Sequence, residues 1–210
     1  MSAMNKGEIA EALGSSPTKQ SSQKMNSGFA LIIALALPFA AAALGAQATN
    51  GSVNTWYRTL RKPAWNPPSW VFGPVWTVLY TLMGIASWLV WRSGNGPTLE
   101  NGTLIDSSKK RVVNGALTLY GVHLLFNGLW SVLFFGKRNI KWALIEIVVL
   151  WGLIGATLIR FYRIKPLAGW LLAPYLLWST FATVLNAKLW QLNRRNFLAR
   201  LWTRPFWRKG

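Results

Sequence analysis

Five apolar stretches, each about twenty residues long or longer, constrain this chain more than any other feature. They cover residues 28–48, 70–91, 112–135, 140–162 and 167–190. About 20 mostly apolar residues are needed for a helix to cross ~30 Å of hydrocarbon. An open strand leaves backbone groups unpaired in lipid, so spans of this kind must be helices. The expected architecture is therefore all-α, an integral membrane bundle of five transmembrane helices. Pro38, Pro74 and Pro174 fall inside spans. Each removes one backbone donor, which a bundle tolerates where neighbours re-satisfy the freed carbonyl.

Composition agrees with that reading. Charged residues make up 13% of the chain, about half the ~25% usual in soluble domains. The net charge of +18 would suggest nucleic acid in a soluble protein. Here the basic residues lie between spans and in the tail, where lipid phosphate is the simpler partner. The bilayer is thus an expected partner and nucleic acid is not. Lys and Arg are nearly balanced between the two sides, with a slight lean toward a cytosolic C-terminus. With no Cys and one His, disulfides and ordinary zinc sites are excluded. No Walker loop or GxGxxG opens a helix.

The flanks divide the chain into three. Residues 1–26 are polar, contain Glu8 and Glu11 but no Arg, and read as a disordered extension rather than a matrix-import peptide. Residues 27–193 form the membrane domain. Residues 194–210 mix Arg and Lys with Phe197, Leu201, Trp202 and Phe206, as an interfacial basic segment does. The connection 94–110 is Gly/Ser-rich and reads as a mobile loop. The link 136–139 is short enough to make spans three and four antiparallel neighbours. The run 40–43 of alanines, with Gly45, suits close packing against another helix.

Residues 56–70 carry Trp56, Tyr57, Trp65 and Trp70 in a Pro-broken loop. Indole is costly to leave in water, so this loop must lie against headgroups or over a cavity with a flat apolar guest. Further candidates sit on helical stripes. His123, Asn127, Trp130 and Phe134 follow i, i+4, i+7, i+11 and share one face, which as the polar face of a span turns inward. Helix-to-helix hydrogen bonding is an equal claim on His123 and Asn127. Trp142 and Glu146 are one turn apart, and Glu146 is the one acid inside a span. Trp178, Ala182 and Leu185 form a stripe in which Ala182 either leaves room for a flat guest beside the indole or permits close approach of a neighbouring helix. Trp76, Tyr80 and Met83 form another. His123 is a minor candidate as a haem axial ligand.

These residues resemble the translocator protein, or tryptophan-rich sensory protein (TspO/MBR), family. The resemblance rests on WYRTLRKPAWNPPSW with VWTVLYTLMGIASWLVW, on LYGVHLLFNGLWSVLFFG and on APYLLWSTFATVLN. The N-terminal extension is similar to that of plant members. The resemblance implies a five-helix bundle, often a homodimer, in a mitochondrial outer membrane or an ER or secretory-pathway membrane. It implies binding or transport of haem or protoporphyrin IX, held as guest with no required cofactor, or of sterols. It places Trp178 and Ala182 on the floor of a pocket, Asn127, Trp130, Trp142 and Glu146 near it, and Tyr57 in a lid over Trp76. Bacterial relatives imply a second possibility, light-dependent porphyrin breakdown, for which Trp76 and Trp178 match the positions concerned. The family usually has Gln at His123 and Asp at Glu146. Asn66 stands where animal members have His. Ala187 and Gln191 break the cholesterol motif of animal members.

Overall fold

The computed structural model describes residues 26–49, 51–52, 55–95 and 107–202. Its elements are α1 (Ser27–Thr49), a short α2 (Trp56–Thr59), α3 (Ser69–Asn95), α4 (Ser107–Ser131) running into a π-helical turn (Val132–Gly136), α5 (Ile140–Ile164) and α6 (Pro166–Trp202). No strand occurs among the described residues. Five of the helices are long and apolar enough to span a membrane. They close a ring in the order α1, α3, α6, α5, α4, with α3 also touching α4 across the middle.

Local chemistry explains the joints. Asn139 caps α5, its Oδ1 accepting from the Trp142 N–H at 3.2 Å. Arg138 just before it takes a left-handed φ of 52°, which turns the chain from α4 back along α5. The close contacts depend on small residues. A Cβ added to Gly84 would meet the Leu35 Cα at 2.8 Å and the Ala34 carbonyl oxygen at 2.9 Å, so α1 and α3 touch backbone to backbone. The small face of α1 finds its partner within the same chain. A Cβ on Gly45 would lie 3.0 Å from the Ser131 Cβ, and one on Gly128 would lie 3.4 Å from the Ala41 carbonyl oxygen.

Two boundaries differ from the sequence reading. The fifth spanning helix runs to Trp202, well beyond residue 190, because no Gly or Pro occurs between Pro174 and Pro205. Its 37 residues measure about 55 Å, far more than the hydrocarbon thickness. Gly94 belongs to α3 rather than to the following loop, and packs against Val113. Residues 1–25, 96–106 and 203–210, on which the extension, most of the long loop and the end of the tail fall, lie outside the described residues.

The core is continuous through the ring. Met83, Val90, Ala116, Ile154, Phe161 and Leu172 are completely enclosed. The outward faces keep large apolar residues exposed, such as Leu125 and Leu177, as lipid-facing surfaces do.

Candidate functional site

A cavity of about 510 Å³ opens inside the bundle beneath the α1–α3 connection. Its volume lies in the range of small-molecule sites. Trp76, Tyr80 and Phe72 come from α3, and Trp178, Ala182, Leu185 and Asn186 from α6. Asn127 and Trp130 enter from α4, Phe134 and Phe135 from the π turn, and Tyr57 from α2. α1 contributes only small side chains here, Ala42, Ala46 and Thr49. Among the described residues the lining carries no charged side chain.

The aromatic walls are held by one another. Trp76 stacks on Tyr80 at 5.1 Å between ring centroids, with 24° between planes. Trp130 stacks on Phe134 at 5.0 Å and 20°. Trp178 leans on Phe181 at 5.4 Å and meets Phe72 edge-on at 5.9 Å. Asn127 fixes the first of these walls. Its Oδ1 accepts from the Tyr80 hydroxyl at 3.2 Å, while its Nδ2 donates to the Tyr175 hydroxyl at 2.6 Å. One amide therefore ties α4 to both α3 and α6, the interhelical role that was the competing reading of this residue. Two polar atoms of lining residues remain unsatisfied, the Trp130 indole nitrogen and the Asn186 Oδ1. The Asn186 amide is oriented by its Nδ2, which donates to the Ile140 carbonyl at 3.2 Å.

The loop over the cavity is ordered by specific contacts. Tyr57 packs against Phe134 at 6.1 Å and Phe135 at 5.9 Å. Its hydroxyl donates to the Asn66 Oδ1 at 3.0 Å, and the Asn66 Nδ2 donates to the Pro67 carbonyl at 2.9 Å. Burial raises the Tyr57 hydroxyl above its usual pKa, an effect the Asn66 hydrogen bond partly offsets, so Tyr57 stays neutral throughout the physiological range. Lys62 places its Nζ 4.4 Å from the Tyr57 ring centroid, a cation–π contact at the rim. Trp65 meets Phe181 of α6 at 5.8 Å.

Of the residues singled out from sequence, Tyr57, Trp76, Asn127, Trp130, Trp178 and Ala182 line one cavity. His123, Trp142 and Glu146 do not. His123 is completely buried between Tyr120 and Tyr175, with its Nδ1 3.3 Å from the Thr157 hydroxyl. It shares the inward stripe but does not line the cavity. Trp142 is 57% exposed on the outer surface of α5. Glu146 is buried in the α5 wall, both carboxyl oxygens lacking a hydrogen-bond partner, beside the lining residue Ile147. The cavity residues that sequence reasoning passed over include Phe72, Phe135 and Asn186. Asn186 was accessible to it, four residues beyond Ala182 on the same stripe. Phe135 was not, because only the π turn brings it to the same side as Phe134. Such turns recur at functional sites. Among the described residues no cluster of His, Cys, Asp or Glu could hold a metal ion.

Comparison with known proteins agrees with this architecture. The TspO/MBR family model matches residues 34–191. The translocator protein of Homo sapiens is 41% identical over 150 residues, covering 71% of this chain and 82% of its own. The tryptophan-rich sensory protein of Cereibacter sphaeroides is 39% identical over 168 residues, covering 78% and 90%. The tryptophan-rich protein TspO of Chlorobaculum tepidum is 37% identical over 163 residues, covering 78% and 95%. With its five spanning helices, and with three quarters of its length matched, this multi-pass membrane protein belongs to the TspO/MBR family.

Proposed function

We propose that this membrane translocator or binding protein takes a tetrapyrrole, haem or protoporphyrin IX, into the cavity for transport or scavenging. The observation that carries the reading is the pairing of flat indole walls, Trp76 and Trp178, with an uncharged interior and a basic rim at Lys62. A planar macrocycle buries its ring against the aromatic walls, while its propionates stay at the rim with Lys62 and the neighbouring Arg58 and Arg61. Among the described residues no His or Met lines the cavity, and the chain has no Cys. Haem would therefore be held through its ring rather than its iron, and metal-free porphyrin would bind comparably. In this reading the protein works as a homodimer in a mitochondrial outer membrane or an ER or secretory-pathway membrane. Light scattering and a fluorescent fusion test those two points.

Titration of the detergent-solubilised protein with protoporphyrin IX tests the binding itself. Saturable one-to-one binding is expected, abolished by Ala182→Phe, which fills the space between Trp178 and Leu185. Non-saturable partitioning, or a filled cavity that binds as before, would remove the basis for the assignment.

A second reading, light-driven oxidation of the porphyrin by dissolved dioxygen as the terminal oxidant with a Trp exchanging an electron with the excited macrocycle, draws support from the Trp76–Tyr80 stack. The two rings are near enough to share an electron hole beside the guest. Illumination of the complex separates the readings. Loss of porphyrin absorbance that continues unchanged in Trp76→Phe and Trp178→Phe proteins would rule out a Trp-dependent reaction. Sterol handling, the third possibility, has no distinguishing feature in the cavity.

A further inference from the structure

The connection between α2 and α3 is pinned to α6 at two points. The lower is the Trp65–Phe181 ring contact. The upper is Asn193, twelve residues further along the helix, or about 18 Å. The Asn193 Oδ1 accepts from the Arg61 backbone N–H at 3.1 Å, and its Nδ2 donates to the Arg61 carbonyl at 3.0 Å. The second Nδ2 hydrogen goes to the Leu189 carbonyl at 2.8 Å. One side chain thus pairs with both backbone groups of a residue 132 positions away, as a neighbouring strand would. The bond to Leu189 fixes the amide's orientation by using the donor that would otherwise rotate freely.

We propose that Asn193 is a positioning residue, a latch that holds the cavity's lid shut and sets Arg61 and Lys62 at the rim. Three features support this. Arg61 adjoins Lys62, whose Nζ rests on the ring of the cavity-lining Tyr57. The Pro-rich composition of the loop denies it a strand or helix of its own to supply such bonds. The latch stands near the end of the stretch of α6, residues 166–194, that is long and apolar enough to cross a membrane, on the same helix that supplies Trp178 and Ala182 to the cavity. Releasing Asn193 leaves the aromatic cavity intact but frees the rim, so a guest's escape is affected more than its entry. The ligand half of this inference rests on the proposed tetrapyrrole reading. The latch itself does not.

The test uses the full chain in detergent, first without ligand. Hydrogen–deuterium exchange at the Arg61 amide should quicken about tenfold in Asn193→Ala, equivalent to ~1.4 kcal/mol, with the α3 to α6 core amides unchanged. Asn193→Asp keeps an acceptor for the Arg61 N–H but loses both donors, and should fall between wild type and Asn193→Ala. Dissociation of protoporphyrin IX, followed by stopped-flow fluorescence, should quicken in the same order, with association little altered. Unchanged Arg61 exchange in Asn193→Ala would overturn the latch, and so would faster exchange throughout the core. If wild type binds no protoporphyrin IX, the tetrapyrrole reading fails, and the Arg61 exchange result still decides the latch.

Discussion

Replacing Trp178 with alanine is the perturbation the cavity geometry predicts best. The indole is partly buried, with one side leaning on Phe181 and its edge toward Phe72. The remaining face belongs to the cavity wall. A Trp side chain buries about 150–250 Å² when fully enclosed. A flat guest lying on one face would cover roughly 100 Å² of it, which at ~25 cal/mol per Å² amounts to about 2.5 kcal/mol. Alanine lets the guest shift and recover some contact, so the expected loss is about 1.4–2.4 kcal/mol, or roughly 10- to 60-fold in Kd. The fold should survive, because the fully enclosed core residues Met83, Ile154 and Leu172 do not depend on this ring. The assay is quenching of intrinsic Trp fluorescence by protoporphyrin IX in detergent. Trp142→Ala serves as the control, since it removes an indole that is exposed on the outer surface. A Kd that responds to Trp142 and not to Trp178 would refute the placement of the guest. Equal weakening by both would point to general adsorption on exposed indoles.

Other expectations follow from individual contacts. His123→Ala should leave the Soret band of bound haem unshifted, because the imidazole lies behind the cavity; a shift lost with the mutation would restore the axial-ligand reading. Gly84→Val should lower thermal stability by about 1–3 kcal/mol, since even a Cβ there would press on the α1 backbone at 2.8 Å; an unchanged melting temperature would show that the α1–α3 contact is slack. Lys62→Met should weaken protoporphyrin IX about threefold at low salt, within the range for exposed charge contacts, and leave its dimethyl ester unaffected; equal loss for both ligands would mean that Lys62 acts by packing on Tyr57.

Span number and helical type were legible because membrane crossing imposes a length and an apolarity that few other sequences satisfy. Inward stripes were legible for the same reason, since a polar group in lipid has a strong preference for the interior. Depth along a stripe was not. His123 and Asn127 share a face, yet only Asn127 reaches the cavity, because Tyr175 from α6 and Tyr120 from the preceding turn of α4 itself enclose the histidine. Trp142 shows a different limit. Indole is amphipathic and equally at home at an interface, so a Trp one turn from an inward-facing Glu146 carries little information about direction. The long α6 escaped because hydropathy marks where lipid ends, whereas helix propensity continues through Arg and Leu until a breaker arrives.

The cavity joins two kinds of order with different purposes. Its floor is rigid. The Tyr80–Asn127–Tyr175 bonds are buried, where a hydrogen bond lost without a substitute leaves a polar group unsatisfied at about 1–3 kcal/mol. The floor therefore keeps its shape whether or not a guest is present. The lid is held by a part-buried bond, Tyr57 to Asn66, and by the exposed bonds between Arg61 and Asn193, where water competes and the net worth of each is near the low end of ~0.5–1.5 kcal/mol. Loss of those exposed bonds would leave the buried bonds of the floor in place. On the proposed reading, in which a guest enters from the loop side and leaves again, that asymmetry is needed, because a floor as loose as the lid would lose the aromatic spacing and a lid as firm as the floor would not release. The Trp-rich loop resolves its own conflict in the same way. Tyr57 packs on Phe134 and Phe135 and closes part of the cavity, while Trp65 rests on Phe181 outside its lining, so both rings lie against other aromatics rather than wholly in water.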